Sequence, residues 1–250
     1  MKLIKVRFEG DEFYASVGCD GVYAVAGDVF GDFAVTDRKI DLDKAKILPP
    51  VNPSKIVAVG LNYRDHAIEF GEDIPDEPKL FLKPSTAVIA HKDYIVRPDS
   101  SNRVDYEAEL AIVIKKTAKN IDAKDADSYI LGYTCLNDVT ARDLQKKDGQ
   151  WIRAKGFDTF APIGPVISTD IDADNLDIKL ILNGEVKQHS NTNNFIFKTK
   201  ELVSFVSKIM SLLPGDIITT GTPSGVGPLE PGDEVKVVIE EIGELINYVK

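Results

Sequence analysis

The stretch that decides the fold is Val104-Asp105-Tyr106-Glu107-Ala108-Glu109-Leu110-Ala111-Ile112-Val113-Ile114. Its second half is a continuous apolar run rich in β-branched residues, which predicts a strand buried on both faces. Because strand side chains alternate between faces, Asp105, Glu107 and Glu109 are expected to share one face, with Glu107 and Glu109 roughly 7 Å apart. Two such carboxylates repel each other and lose hydration, so they indicate either a bound cation or a strand end that reaches solvent.

Composition limits the size of the core and the kinds of partner. With 250 residues, 43% of them hydrophobic and 28% charged, the chain can bury one substantial core, alone or with a small appendage. A formal net charge of −10 argues against nucleic acid and against anionic membrane surfaces as partners. No apolar run approaches the roughly 20 residues that cross a bilayer. Residues 1–7 lack the hydrophobic region of a signal peptide and predict a first strand.

The cysteines and histidines limit which cellular compartment and which kind of metal site the sequence predicts. Cys19 and Cys135 lie far apart in sequence, which predicts free thiols in a reducing cytoplasm. With only His66, His91 and His189 in the chain, a zinc site built from histidine and cysteine is disfavoured. We therefore expect a cytoplasmic protein in which any bound metal is held by oxygen ligands.

The prolines suggest two unequal units. Residues 1–50 are predicted to form a small β-rich segment of short strands broken by glycine and aspartate. Three prolines in Leu48–Pro53 indicate a linker or crossing segment, after which residues 51–250 are expected to form the main domain. Within that domain, Ile56–Gly60 predicts a buried strand and Lys200–Leu212 has the apolar spacing of an amphipathic helix.

The strand Ile56–Gly60 is followed by a candidate acid–base pair. A short helix is expected there, and His66 and Glu69 lie side by side on it because they are three residues apart. A carboxylate beside an imidazole fixes its tautomer and raises its basicity, as a general base requires. The alternative is an exposed surface pair that contributes little.

Further polar residues stand at the ends of apolar elements. Asp138 follows a predicted strand and precedes a segment of helical composition, so it is either a helix cap or a ligand at a strand end. Lys83 stands at the end of an apolar strand. It is either a charge that protects an exposed edge strand from pairing with other chains or a residue that contacts an anion. Lys155 lies among aromatic residues, and its ammonium group is expected to point inward. Arg142 and Gln145, three residues apart, face the same way on the predicted helix.

A glycine-rich loop, Thr219–Gly227, lies between two Pro-Gly-Asp turns. It lacks the Gly-Lys-Ser/Thr of a Walker loop, and it is not a dinucleotide fingerprint. Ser224 does not lie in a Gly-x-Ser-x-Gly motif, so a serine-hydrolase elbow is absent. The glycines either let backbone N–H groups approach an anionic ligand or simply make turns.

Together these segments resemble the fumarylacetoacetate hydrolase family, with its signature blocks in the same order over roughly residues 55–235. The blocks that carry the resemblance are Gly60–His66, Phe81–Pro84, Val104–Ile114, Gly132–Gln145, Ala154–Asp158 and Thr220–Gly227. The resemblance implies a β-rich α+β fold of mixed β-sandwich and β-roll character with short helices. It also implies a homodimer.

The resemblance further implies a metal site and catalytic residues. One Mg²⁺, or Mn²⁺, would be held by Glu107, Glu109 and Asp138, and such all-oxygen ligation is what a hard cation prefers. His66 with Glu69 would activate water, on a helix that is part of a lid in relatives. Lys155 would polarise the substrate. The positions implied for substrate contact are Tyr63, Arg142, Gln145 and Thr222.

The implied function is that of a Mg²⁺-dependent enzyme acting on a small 2-oxo or β-diketo acid through an enolate stabilised by the metal. It would hydrolyse an acylpyruvate-type C–C bond or decarboxylate oxaloacetate. An alternative is an isomerase or decarboxylase of 2-hydroxyhepta-2,4-diene-1,7-dioate-type products of aromatic breakdown. A third possibility is a non-catalytic metal- or ligand-binding protein on the same scaffold, including one with a structural Ca²⁺ site.

Overall fold

The computed structural model describes residues 1–65 and 73–250, so the predicted pair His66 and Glu69 lies outside the described residues. Strands dominate the described chain, as the sequence predicts. The strands are β1 (Lys2–Phe8), β2 (Asp11–Gly18), β3 (Gly21–Gly27), β4 (Phe33–Lys39), β5 (Lys46–Leu48), β6 (Ile56–Gly60), β7 (Lys79–Lys83), β8 (Val88–Ile89), β9 (Tyr94–Ile95), β10 (Val104–Tyr106), β11 (Ala108–Ile114), β12 (Ile130–Asn137), β13 (Thr140–Ala141), β14 (Ala161–Ser168), β15 (Asp177–Leu182), β16 (Glu185–Asn191), β17 (Ile217–Thr219), β18 (Gly227–Pro228), β19 (Glu234–Ile239) and β20 (Gly243–Val249).

Helices are short within the same described residues. The α-helices are α1 (Arg142–Asp148), α2 (Ile152–Lys155) and α3 (Thr199–Ile209). The 3-10 helices are Leu42–Lys44, Ser85–Ala87, Ala123–Tyr129 and Thr192–Asn194. In this described part of the chain, no helix has both the length and the apolar character needed to cross a membrane.

The largest sheet is built around β11. Its strands run in the order β4-β3-β2-β1-β14-β12-β11-β17-β6-β7, with β5 added to β1 and β8 added to β14. Neighbours along this path are antiparallel except β17 and β6, which are parallel. The N-terminal strands continue this sheet, because β1 pairs with β14 through Leu3 opposite Ile167.

A second sheet, in the order β16-β15-β19-β20-β9, packs against the first. Leu110 and Ile112 of β11 lie in one core cluster with Leu180 of β15 and Val237 of β19. On the opposite face of β11, Ala111 and Val113 belong to a separate cluster. All seven residues of β11 are buried. The predicted strand buried on both faces and the predicted sandwich character are therefore both confirmed.

The predicted strand Val104–Ile114 is in fact two strands in different sheets. β10 pairs with β13 and β18 in a small third sheet, whereas β11 enters the large one. The change of sheet occurs at Glu107, whose N–H donates to the side-chain oxygen of Asn137 at 2.9 Å. Asp105 therefore lies on a separate strand from Glu109, so the expectation of one continuous strand is wrong, although Arg142 contacts both Asp105 and Glu107.

Helix ends also differ from the sequence prediction. The helix expected directly after Asp138 begins only at Arg142, because Thr140 and Ala141 pair with β10 as β13. Ala141 is the residue at the N-cap position, so Asp138 is not a helix cap. The amphipathic helix predicted up to Leu212 ends at Ile209, because Leu212 forms a β-bridge with Ala118.

Asp216 binds the two residues that follow the linker, Ser54 and Lys55. Its fully buried carboxylate accepts hydrogen bonds from the N–H and hydroxyl of Ser54 at 3.0 and 2.6 Å, from Lys55 N–H at 3.2 Å and from Leu213 N–H at 2.8 Å. The Lys55 ammonium group also pairs with it. Burial raises the pKa of Asp216, but Lys55 and Ser54 outweigh burial and lower that pKa below its usual value.

We expect Asp216→Ala to lower the free energy of unfolding by about 2–4 kcal/mol at pH 7, since several buried donors lose their acceptor. Because the pKa of Asp216 is lowered on folding, its contribution is present above the unfolded value of about 4 and is lost as pH falls further. Urea unfolding at pH 7 and pH 3.5 measures both effects. The control Asp122→Ala, at an exposed position, should change stability by less than about 0.5 kcal/mol.

Candidate metal centre and its cavity

Three buried carboxylates converge at the start of β11. Ala108 lies opposite Asn137 in the pairing of β11 with β12, so Glu107 and Glu109 flank the end of β12, where Asp138 follows. One oxygen from each of these three acids lies within 4.8 Å of the others. Ligands on opposite sides of one Mg²⁺ or Ca²⁺ ion are roughly 4–5 Å apart, so this spacing fits a single ion.

Backbone hydrogen bonds hold the three acids in place. The N–H of Asp138 donates to the carbonyl of Glu107 at 2.8 Å. The N–H of Gly221 donates to Oε2 of Glu109 at 2.9 Å. Gly221 has φ +86°, and a Cβ there would lie 3.0 Å from Cβ of Asn62, so this close approach of the loop requires glycine. The backbone N–H of the glycine-rich loop thus approaches the protein's own Glu109.

Two buried lysines neutralise two of the acids. The Nζ of Lys155 lies 2.8 Å from Oε2 of Glu107 and 2.5 Å from Oδ2 of Asp138. The Nζ of Lys83 lies 2.5 Å from Oδ1 of Asp138 and 3.2 Å from the carbonyl of Val139. The inward direction predicted for Lys155 is therefore correct, and of the two alternatives for Lys83 the structure selects the anion contact.

An arginine pair extends this network toward the surface. Arg142 donates through Nη2 to Oε1 of Glu107 and through Nε to Oδ2 of Asp105 at 2.9 Å. Arg103, which is half exposed, donates to the other oxygen of Asp105 at 2.8 Å. We call the resulting chain of alternating charges the charge ladder. It consists of Arg103, Asp105, Arg142, Glu107, Lys155, Asp138 and Lys83.

Glu109 is the acid of this group that no cation of the charge ladder contacts among the described residues. Burial raises the pKa of Glu109 well above its usual value, and the negative charges of Asp138 and Glu107 raise it further. Burial also acts to raise the pKa of Glu107, but Lys155 and Arg142 lower it to about 2. Burial lowers the pKa of Lys155, but Asp138 and Glu107 outweigh it, so the net shift is upward. Glu109 is therefore the carboxylate that gains most from a bound cation.

The donor set fits a hard divalent cation. All three candidate ligands are carboxylates, which suit Mg²⁺, Mn²⁺ or Ca²⁺ rather than a soft metal. Each carboxylate has about four lone-pair positions, so Glu107 and Asp138 retain acceptor positions after binding the cations of the charge ladder. Glu107, Glu109 and Asp138 could therefore hold one ion without displacing Lys155.

A cavity of about 320 Å³ opens onto the three acids. Phe81 and Trp151 form one wall, with ring centroids 5.2 Å apart and planes at 72°. The Nζ of Lys155 lies 5.1 Å from the centroid of the Phe81 ring. The other lining residues are Val59, Gly60, Leu61, Lys79, Glu107, Glu109, Asp138, Arg142, Gln145, Lys146 and Thr222. This volume is at the small end for ligand sites and suits a small acid.

The predicted substrate-contact residues divide into two groups. Arg142, Gln145 and Thr222 line the cavity, and Arg142 Nη1 donates to Oε1 of Gln145 at 2.7 Å. Tyr63 is fully buried and packs edge-on against Phe195, with ring centroids 4.8 Å apart, so it is not among the residues that line the cavity. The β-bridge between Tyr63 and Phe195 explains this position, because it turns the tyrosine into the core.

Gln188 of β16 is a site residue that the sequence did not predict. It is buried, and it accepts a hydrogen bond from the N–H of Ala108, between Glu107 and Glu109, at 2.9 Å. Residues Glu185–Asn191 are almost entirely polar, so no apolar alternation distinguishes the inward-facing position. The contact depends on how two sheets pack, which the local sequence does not report.

The chain belongs to the fumarylacetoacetate hydrolase family. The family model "Fumarylacetoacetate (FAA) hydrolase C-terminal" matches residues 55–250, and the model "Rv2993c-like, N-terminal" matches residues 1–50. Protein MJ1656 of Methanocaldococcus jannaschii is 58% identical over 87% of this chain and 94% of its own length. The mitochondrial oxaloacetate tautomerase Fahd2a of Rattus norvegicus is 44% identical over 81% of this chain and 68% of its own.

A solved structure gives the same result for the fold. The crystal structure named as 5-carboxymethyl-2-hydroxymuconate delta-isomerase from Mycobacterium smegmatis superposes with a TM-score of 0.93. It is 43% identical and covers 100% of this chain and 99% of its own. The fold and the enzyme family that the sequence resemblance implies are therefore both confirmed.

Proposed function

We propose that the protein is a divalent-metal-dependent enzyme that moves a proton on a short 2-oxo dicarboxylic acid, interconverting keto and enol forms. The observation that carries the proposal is the convergence of Glu107, Glu109 and Asp138 on one small cavity. Lys155 joins two of these acids from the side of the cavity wall. Metal ligands and substrate-sized space thus occur at the same place.

The charges at the site favour a substrate with two negative charges. The charge ladder has four cations and three carboxylates, and Glu109 completes a formally neutral group. A divalent cation would therefore leave an excess of positive charge at the cavity, which Lys146 also lines. Unbalanced buried charge is costly, so a dianionic ligand is favoured over a neutral one. A 2-oxo dicarboxylate such as oxaloacetate meets this requirement.

The residues of the chain have separable tasks in such a reaction. A cation held by Glu107, Glu109 and Asp138 would supply Lewis-acid stabilisation of the negative charge that develops on the keto oxygen. Lys155 keeps its proton, because its pKa is raised by Asp138 and Glu107 against the effect of burial, and its positive charge lowers the pKa of Glu107. Arg142 does the same for Glu107. Neither residue is therefore suited to accept the substrate proton.

The proton acceptor in this proposal is His66 assisted by Glu69, as the sequence predicts. Both lie outside the described residues, so their assignment rests on the sequence. Phe81 and Trp151 cover one side of the cavity, which limits access of water to a carbanion-like intermediate. Limited water access favours return of the proton to the substrate over side reactions.

The names of relatives support proton transfer as the reaction. The Rattus norvegicus relative is named an oxaloacetate tautomerase, and the Mycobacterium smegmatis structure is named a delta-isomerase. Both names describe a shift of hydrogen without cleavage of a C–C bond. Acylpyruvate hydrolysis and oxaloacetate decarboxylation remain predictions from the sequence, as do the homodimer and the cytoplasmic location.

Oxaloacetate tests the proposal directly. With Mg²⁺ or Mn²⁺, we expect keto–enol interconversion, followed by ultraviolet absorbance, to be at least about 100-fold faster than with a chelator. A coupled assay for pyruvate should show no matching release. Pyruvate formed as fast as oxaloacetate is lost would instead indicate a decarboxylase, and equal rates with and without metal would contradict the proposal.

A further inference from the structure

Gln188 connects the metal centre to the glycine-rich loop. Its strand β16 belongs to the second sheet, while β11 belongs to the first. Its Oε1 accepts from the N–H of Ala108 at 2.9 Å, and its Nε2 donates to Oγ1 of Thr222 at 2.9 Å and to the carbonyl of Pro223 at 2.7 Å. One buried amide therefore connects the strand that carries the candidate ligand Glu109 with Thr222, which lines the cavity.

The orientation of this amide is determined by its neighbours. The N–H of Ala108 can only donate, so it must face Oε1, and the carbonyl of Pro223 can only accept, so it must face Nε2. The hydroxyl of Thr222 consequently accepts from Gln188. The hydroxyl proton of Thr222 is then available to another acceptor, and none of the described residues accepts it.

The loop is seated closely on β16. Gly225 has φ +95°, and a Cβ there would lie 2.3 Å from the carbonyl oxygen of Lys187. A side chain at this position would push the loop away from the strand. Gln188 and Thr222 therefore stay within hydrogen-bond distance because glycine allows the backbones to meet.

We propose that Gln188 is a positioning residue that makes Thr222 a hydrogen-bond donor toward the ligand. A hydroxyl donor at this point of the cavity favours a ligand that places a hydrogen-bond acceptor there. A carboxylate oxygen of the 2-oxo acid is such an acceptor. This inference rests on the proposed function for the identity of the ligand. The assignment of the Thr222 hydroxyl as a donor toward the cavity follows from the hydrogen bonds of Gln188 alone.

The test uses the Mg²⁺-loaded full-length protein and oxaloacetate. In Gln188→Glu the new carboxylate still accepts from Ala108 but also accepts the proton of Thr222, so the ligand loses its donor. We expect KM to rise about 10- to 100-fold with kcat within about threefold of wild type. Thr222→Val should give a similar rise, Thr222→Ser should retain the wild-type KM, and the double variant should be no worse than either single variant.

Titration of oxalate into the same Mg²⁺-loaded proteins separates the two proposals. Weaker oxalate binding by Gln188→Glu and Thr222→Val supports the inference even if oxaloacetate is not turned over, in which case the proposed function fails alone. The control His189→Gln changes the neighbouring, solvent-exposed side chain of β16 and should leave KM and oxalate affinity unchanged.

Three results would overturn the inference. They are a fall in kcat with unchanged KM in Gln188→Glu, additive effects of the two substitutions, or unchanged oxalate binding in a folded variant. If Gln188→Glu does not fold, Gln188→Met, which removes the amide but keeps the length of the side chain, decides the matter. An unchanged KM in that variant would show that Gln188 has a structural role only.

Discussion

Replacing Glu109 by glutamine is expected to weaken Mg²⁺ binding at least about 100-fold and to abolish metal-dependent turnover, while stabilising the metal-free protein. Glutamine can still accept from the N–H of Gly221, so the loop keeps its anchor. It removes the buried charge that Asp138 and Glu107 repel. The expected gain in free energy of unfolding without metal is of the order of 1 kcal/mol at neutral pH.

The pH dependence of this gain follows from the direction of the pKa shift. Burial and the neighbouring acids raise the pKa of Glu109 in the folded state above its unfolded value of about 4.3. Its contribution to stability is therefore fully present below that unfolded value and is lost as pH rises through the folded pKa. Without metal, the advantage of Glu109→Gln should grow as pH is raised from about 4 and then level off.

Calorimetric titration with Mg²⁺ and urea unfolding in chelator at several pH values measure these effects. The control is Glu185→Gln, which changes an exposed acid and should alter neither metal affinity nor stability appreciably. Wild-type Mg²⁺ affinity in Glu109→Gln would refute the role of Glu109 as a ligand. Lower stability of the metal-free variant would refute the electrostatic account of the site.

Replacing Lys155 by methionine is expected to give the largest loss of stability. The ammonium group lies between Glu107 and Asp138, and removing it leaves two buried carboxylates with less compensation. Breaking a buried ion pair in this way costs about 3–5 kcal/mol. Mg²⁺ should recover part of that loss, since the ion then supplies the missing positive charge. Turnover should be lost even with the metal present.

The measurement is urea unfolding of Lys155→Met and wild type, each in chelator and in Mg²⁺. We expect the stabilisation by Mg²⁺ to be larger in the variant than in wild type. Lys200→Met, which removes an exposed partner of Asp127, is the matched control and should cost less than about 1 kcal/mol. A metal-free Lys155→Met protein as stable as wild type would show that the acids do not need this cation.

The sequence predicts the buried central strand of the fold better than the points at which strands and helices begin and end. The apolar run in β11 predicts burial on both faces, and glycine and aspartate mark the breaks between the N-terminal strands, because these signals are local. The break at Glu107 could not be predicted, since it depends on a hydrogen bond to Asn137, thirty residues away. The late start of α1 has the same kind of cause, because β13 pairs with β10.

The candidate site shows the same division. Glu107 and Glu109 are conspicuous in sequence because two acids precede an apolar run, and the family resemblance adds Asp138. Lys83 was ambiguous, since a lysine at the end of an edge strand ordinarily faces water, whereas here it reaches Asp138. Gln188 was not predicted, because its importance arises only where the two sheets pack. Buried polar contacts between sheets leave no periodic trace in the sequence.

The pairing of β1 with β14 has a consequence for shortened forms of this protein. β14 lies next to β12, which leads into Asp138, and one of its sides is covered over Val166–Ser168 by residues from the very start of the chain. A fragment beginning after the linker would keep Glu107, Glu109 and Asp138 but would leave backbone groups of β14 open to other molecules. Unpaired strand edges of this kind can pair with other copies of the chain and lead to aggregation. A form without residues 1–50 is therefore expected to aggregate more readily than the whole chain, although it keeps the three candidate metal ligands.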